Sequence, residues 1–248
     1  MSLSENFKNL ELKQTSARLT YKIPVIVRLD GRSFTSFTNK MGFKKPYCDV
    51  FNRIMNNITM YLCENSHQCV YATRHSDEIS LLFIDYNNEN TDAFFAYKIQ
   101  KMVSVLAGMA SACLVKELIQ EKYDLENDVP HFDARAFNVG RGMVVPYFIY
   151  RKRDAEKNNI SGWARKYYSH KQVNGLNSKD KISLLFDEQG INWEDVPNEC
   201  KYGFHFFKVE KEISSTYNDK VQYTIRKKWV FEPLPDLIPD FVKDLVDI

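Results

Sequence analysis

The sequence predicts an α+β fold. A ferredoxin-like β-α-β-β-α-β sheet occupies residues 1–145, and a helical and β appendage, basic and aromatic in character, follows over 146–248 and packs on it as one compact unit. Three observations predict it. Short β-branched runs alternate with longer segments of helical apolar spacing in the order strand, helix, strand, strand, helix, strand. Turn residues punctuate the strands, with Asp30-Gly31 closing the first and the polar link from Arg74 to Asp77 joining the second to the third. Apolar residues make up 44% and aromatics 14% of 248 residues, enough to fill a core, which excludes a largely disordered chain.

Residues 24–30 (PVIVRLD) are a β-branched run that enters the Asp30-Gly31 turn. From Tyr47 onward Val50, Phe51, Ile54, Met55, Ile58, Tyr61 and Leu62 recur at helical spacing, and Pro46 stands in front as a start signal. The runs 69–73 (CVYAT) and 78–84 (EISLLFI) predict a hairpin. A long helical pattern covers 92–120, and its small-sided middle permits close approach of the sheet or of a partner helix. Residues 131–137 (HFDARAF) supply the closing strand. Beyond Pro146 the chain reads as a helix with polar faces, and from about residue 201 as strands alternating aromatic and basic residues.

With 34 basic and 32 acidic side chains the formal net charge is +2, so bulk polyelectrolyte binding is not expected. No uninterrupted apolar run approaches the roughly 18 residues of a membrane span, and the N-terminus has neither signal-peptide nor transit-peptide character; a soluble cytoplasmic protein with no membrane partner is the expectation. Five cysteines without a CxxC pair imply reduced thiols. Cys63, His67, Cys69 and His75 fit no zinc spacing, so Cys63 and Cys69 read as small apolar residues. Neither a P-loop nor a GxGxxG fingerprint is present, and the histidines support no nucleophilic triad.

The acidic residues carry the chemistry. In this topology the first strand lies between the third and fourth and runs antiparallel to the third, so the end of one meets the start of the other. Asp30 and Asp77 occupy those two places, which predicts carboxylates roughly 5 Å apart on one sheet edge. Such a pair suits Mg²⁺, and two ions there suit phosphoryl-type displacement. Arg28, Arg32, Ser33, Thr35 and Lys45 supply donors for an anionic ligand, and Gly31 lets backbone N–H groups approach phosphate. Basic clusters at Arg151-Lys152-Arg153, at Arg165, Lys166, His170 and Lys171, and at Arg226-Lys227-Lys228 interleave with aromatics, the composition of an RNA-contacting surface.

At VIVRLDGRSFTSFT (25–38), FKKP (43–46), HSDEISLLF (75–83) and FDARAF (132–137), with RKRD (151–154) a looser match, the sequence resembles the tRNA(His) guanylyltransferase family of 3′-to-5′ reverse polymerases. The resemblance implies a palm-like catalytic domain shared with polymerases and nucleotidyl cyclases. It implies that Asp30, the Gly31 carbonyl and Asp77 hold two Mg²⁺ ions. Arg32, Ser33, Phe34, Thr35, Lys45 and Ser76 then line the pocket for ATP, GTP or another nucleoside triphosphate. Arg28, Lys98, Lys101 and Arg135 fall on the triphosphate or RNA-phosphate path, and Arg151, Lys152, Arg153, Asn158 and Asn159 on the tRNA surface. A homotetramer is implied as well.

One departure bears on specificity. Where tRNA(His)-specific members carry His-Ile-Asn-Asn, this chain has Glu156-Lys157-Asn158-Asn159. That resembles the "like" branch, which repairs 5′-truncated tRNA by templated addition. The rival readings are addition of a single G to tRNA(His) and a non-catalytic RNA-binding palm; retention of both carboxylates disfavours the second, because buried unpaired acids are costly without a cation.

Overall fold

The computed structural model describes residues 2–87, 90–125, 128–217 and 220–247. In chain order the elements are α1 (Leu3–Thr15), β1 (Val25–Gly31), α2 (Phe34–Lys40), α3 (Asp49–Asn65), β2 (Cys69–His75), β3 (Glu78–Phe83), α4 (Ile99–Gln120) and β4 (Phe132–Asn138). There follow α5 (Val144–Tyr167), α6 (His170–Val173), α7 (Ser178–Gln189), α8 (Asn198–Lys201), β5 (Phe204–Tyr217), β6 (Lys220–Pro233) and α9 (Phe241–Asp244).

The strands form one sheet in the order β4-β1-β3-β2-β5-β6, whose first four members are the expected ferredoxin-like arrangement. β1 runs antiparallel to both neighbours, from Val25↔Phe83 to Leu29↔Ile79 on one side and from Val25↔Asn138 to Gly31↔Phe132 on the other. The C-terminal hairpin continues this sheet: β5 pairs with β2 from Ala72↔Phe206 to Arg74↔Phe204, then extends with β6 beyond it.

Strand periodicity sends alternate side chains to opposite faces. Val25, Val27 and Leu29 meet the apolar stripes of α3 (Ile54, Met55, Ile58, Leu62) and α4 (Met102, Leu106, Ala110, Leu114, Leu118). Ile26, Tyr71 and Leu82 meet Val144 and Phe148 of α5 and Val242 at the C-terminus. Each fully buried aliphatic side chain here contributes about 1.5–3 kcal/mol. α4 has the length and hydropathy of a membrane span, but one stripe of it fills the core between sheet and α3.

Several boundaries differ from the expectation. α1 was not apparent in the sequence because it buries no residue, and its start rests on a capping box between Ser2 and Glu5. α2 is only seven residues long. α4 begins at Ile99, not 92, because Phe95, Ala96 and Tyr97 take positive φ in a 3₁₀ turn before it. Cys63 and Cys69 are buried, and burial pushes the Cys63 thiol well up, as befits small apolar core residues.

Candidate active site

The acidic edge is built where β1 ends and the β2–β3 hairpin turns. Arg28 and Asp30 lie on the α5 side of β1, the same side as Ile26, since the three alternate with core-facing Val27 and Leu29. Asp77 sits in the two-residue turn after His75, where Ser76 adopts φ 52°. Both carboxylates line one cleft of about 530 Å³ between the sheet edge and α5. Asp30 also faces Asp133 directly across the β1–β4 ladder, a third acid that the sequence spacing did not single out.

Electrostatics mark the pair. Burial pushes the Asp77 carboxyl up to about 6, against a hydrogen bond from its own backbone N–H that favours the charged form, and the negative charge of Asp30 adds to the rise. Arg151 of α5, packed against the hairpin, is already engaged: it donates from Nε to Glu78 Oε1 at 2.7 Å and from Nη2 to Glu78 Oε2, and reaches Asp154 at 3.2 Å. Two neighbouring half-buried carboxylates, neither ion-paired to a protein cation among the described residues, fit a divalent metal. Among the described residues no group of three or more His, Cys, Asp or Glu side chains converges. The remaining ligands would be backbone, water and substrate oxygens, as Mg²⁺ commonly takes.

The hairpin is held from behind. His75 Nδ1–H donates to the Tyr202 carbonyl, and burial, with Arg74, Arg151 and Lys152 nearby, lowers its pKa to about 3, so the imidazole stays neutral. Gly203 has φ 82°, and a Cβ there would lie 2.1 Å from the Arg74 carbonyl oxygen. Beneath it the Arg74 guanidinium is fully buried, donating to Asn52 Oδ1 at 2.6 Å and Asn56 Oδ1 at 2.6 Å. Arg74 also lines a smaller adjoining compartment with Phe43, Tyr47 and Cys48, which shares Lys45, Pro46, Ser76 and Asn159 with the main cleft. Nothing in the local sequence distinguishes Arg74 or Gly203; both owe their place to the return of β5 beside β2.

The predicted site residues divide. Asp30, Thr35, Lys45, Ser76, Asp77, Asn158 and Asn159 line the main cleft, and Asn159 also donates to the Lys201 carbonyl at 2.8 Å. Arg28 stands beside exposed Arg135 across the β1–β4 ladder, on the same face as Asp30. Arg32 and Ser33 line a separate recess with Lys40 and His131. Phe34 does not line the main cleft: its ring is buried against Phe37 and Phe132, with centroids at 5.3 and 5.0 Å.

Lys98 and Lys101 begin α4 beside Arg18 and Ala17, at the Phe83 end of β3. That end is about five residues, or roughly 17 Å, from Asp30 along β1, so one chain does not bring these lysines to its own carboxylates. The triplet 151–153 is also split. Arg151 and Lys152 are buried, the latter donating to the Asp236 carbonyl and lying 3.8 Å from the Tyr202 ring centroid, and only Arg153 is exposed. Arg165 and Lys166, which the sequence offers only within a basic cluster of RNA-contacting composition, line the same cleft.

A ferredoxin-like sheet with paired carboxylates at the end of its first strand and in its central hairpin turn, facing a cleft edged with cations, defines a palm-type nucleotidyltransferase. The comparisons agree and narrow it. The family model described as "tRNAHis guanylyltransferase" matches residues 4–140, more than half of the chain, and the protein belongs to that family.

A solved bacterial tRNA(His) guanylyltransferase-like protein in complex with ATP is 31% identical, with 99% of each chain covered and a TM-score of 0.84. A bacterial counterpart in complex with GTP is 29% identical over the whole of both chains, with a TM-score of 0.80. Among curated relatives, a probable tRNA(His) guanylyltransferase of Dictyostelium discoideum is 27% identical across 93% of this chain and 92% of its own length. The Arabidopsis thaliana tRNA(His) guanylyltransferase 1 is also 27% identical, and there the match spans 38% of the relative. The protein is thus an enzyme, a nucleotide-binding transferase of tRNA processing.

Proposed function

We propose that the enzyme adds nucleotides in the 3′-to-5′ direction to the 5′ end of tRNA, with Mg²⁺ held by Asp30, Asp77 and the Gly31 carbonyl, and that it repairs 5′-truncated tRNA under template direction. The observation that carries this reading is the meeting of Asp30 and Asp77 in one cleft whose single buried cation is taken by Glu78. Two Mg²⁺ ions, when bound, supply charge neutralisation and activation of the incoming 3′-hydroxyl. The chain's own residues do the rest. Asp30 and Asp77 supply the negative charge, Thr35 and Lys45 donate to the incoming nucleotide's phosphates, and the compartment of Phe43, Tyr47 and Arg74 receives its base. Phosphoryl transfer needs positioning and electrostatic stabilisation more than covalent participation, and this cleft offers both.

Glu156 supports the repair reading over histidine-dependent selection, since its carboxylate accepts from Trp193 Nε1 at 3.1 Å. The exposed small residues Ser104, Gly108 and Ala112 of α4 support the tetramer that the family resemblance implies. The deciding experiment incubates labelled 5′-truncated tRNAs of several identities with the four nucleoside triphosphates and Mg²⁺. Products whose sequence follows the opposing 3′ strand are expected. A single G whatever the opposing base would replace repair by guanylyltransfer, and no product would remove both.

A further inference from the structure

The cleft carries two exposed cations, Arg165 and Lys166, at its outer end, away from the carboxylates. α5 forms its long wall through Arg151, Asp154, Asn158, Gly162, Arg165 and Lys166, positions three and four apart that share one helix face. At the inner end Arg151 is consumed by Glu78 and Asp154. Toward the outer end, Gly162 faces Pro46, where an added Cβ would lie 3.7 Å from the proline Cβ, so Lys45 and α5 border the cleft from opposite sides. Arg165 and Lys166 stand at the outer end. Both are exposed, and neither they nor Lys45 form an ion pair among the described residues.

The fourteen-residue step from Arg151 to Arg165 is about 21 Å along the helix axis. A nucleic-acid strand in a helix carries a phosphate about every 3.4 Å of axis, so a polyanion of several residues spans this wall whereas one nucleotide occupies only its inner part. Trp163 and Tyr167 lie 5.8 and 5.1 Å from the Lys166 ammonium, which orients it without neutralising it.

We propose that Arg165 and Lys166 form a phosphate-binding site for the 5′ strand of the RNA substrate, holding backbone phosphates inward of which the terminal phosphate meets the carboxylates. The inference rests on the proposed nucleotidyl transfer to RNA and adds to it the residues that hold the strand. It predicts discrimination between ligands: these cations act on RNA and leave the free nucleotide untouched.

The test uses the full-length protein with two probes, a tRNA transcript lacking its first 5′ nucleotide and ATP alone. Binding of the transcript is followed by fluorescence anisotropy across a salt series, without Mg²⁺ turnover. For R165A/K166A, RNA affinity should fall roughly ten-fold, and the log-log salt slope should flatten by up to about 1.4–1.8 for two lost contacts. ATP affinity should be unchanged, and the charge-preserving R165K/K166R should bind RNA like wild type. Unchanged RNA affinity and slope would overturn the site. So would weakened ATP affinity with normal RNA binding, which would assign the cations to the nucleotide triphosphate. Because binding is read directly, an enzyme that proved to add no nucleotide would defeat the catalytic reading while leaving this measurement decisive.

Discussion

Arg151 clamps Glu78 with two parallel hydrogen bonds, Nε to Oε1 at 2.7 Å and Nη2 to Oε2, and the Arg151 side chain is only 9% and that of Glu78 13% exposed. Glu78 follows Asp77 directly, so the pair ties the turn that carries Asp77 to the first half of α5. Burial raises the Glu78 carboxyl, and its hydrogen bonds and ion pair with the guanidinium oppose that rise.

Arg151→Ala should therefore act as a structural lesion. It strands a buried carboxylate, a change that costs about 3–5 kcal/mol in comparable pairs. Thermal unfolding checks it, with partial rescue expected from a second Glu78→Gln change. The salt slope of RNA binding, measured on the folded variant, should match wild type, since Glu78 and Asp154 already take the Arg151 charge; a flattened slope would place it on the RNA surface after all.

Asp30→Asn and Asp77→Asn keep side-chain shape and remove charge from the proposed metal site. Nucleotide addition should fall by orders of magnitude, while RNA binding persists. In metal-free buffer the Asp77→Asn protein should melt no lower than wild type, because Asp77 there is half-buried beside another carboxylate. Near-normal turnover in either variant would remove the paired-carboxylate mechanism.

Gly203→Ala places a methyl group 2.1 Å from the Arg74 carbonyl oxygen and holds alanine at φ 82°. The cost should be on the order of 2 kcal/mol or more. Displacement of the His75 to Asp77 turn should cut kcat more than the KM for ATP. A variant with unaltered melting temperature and kcat would show that the hairpin needs no support from this segment.

Glu156, where the family resemblance places the histidine of tRNA(His)-specific members, accepts from the Trp193 indole. Glu156→Gln retains an acceptor and should be nearly silent. Glu156→His should lose about 1 kcal/mol of stability without conferring preference for a histidine anticodon. Competition between truncated tRNAs of different identity measures the preference, and a gain of selectivity for tRNA(His) would restore a reading role to this position.

His205 is 1% exposed, with Nδ1 3.5 Å from the Tyr71 hydroxyl and Nε2 3.2 Å from Glu232. Burial lowers its pKa and Glu232 only partly offsets this. The unfolded chain, titrating near the ordinary value of about 6.5, takes up a proton that the folded chain refuses, so this contribution to stability is full above that pH and is lost as pH falls below it. Urea midpoints at pH 7.5 and 5.0 should therefore differ more for wild type than for His205→Gln. An equal difference in the two proteins would mean that other groups carry the acid sensitivity.

Short-range periodicity determined much of this molecule. The alternation of Val25, Val27 and Leu29 against Ile26, Arg28 and Asp30, and the helical stripes of α3 and α4, are properties of backbone geometry that neighbouring residues express on their own. The order of those elements then brought the ends of β1 and β3 together, since short connections leave few topologies, and with them Asp30 and Asp77. Which cations remain available was decided only in three dimensions. Arg151, Lys152 and Arg153 are alike in sequence, yet turning about 100° per residue along α5 sends the first to Glu78, the second to Tyr202 and Asp236, and only the third to solvent. The same long-range packing took Phe34 into the core, set Lys98 and Lys101 at the far end of the sheet, and turned Arg165 and Lys166 toward the cleft. Those outcomes depend on partners distant in the chain, and no local pattern of charge or hydropathy encodes them.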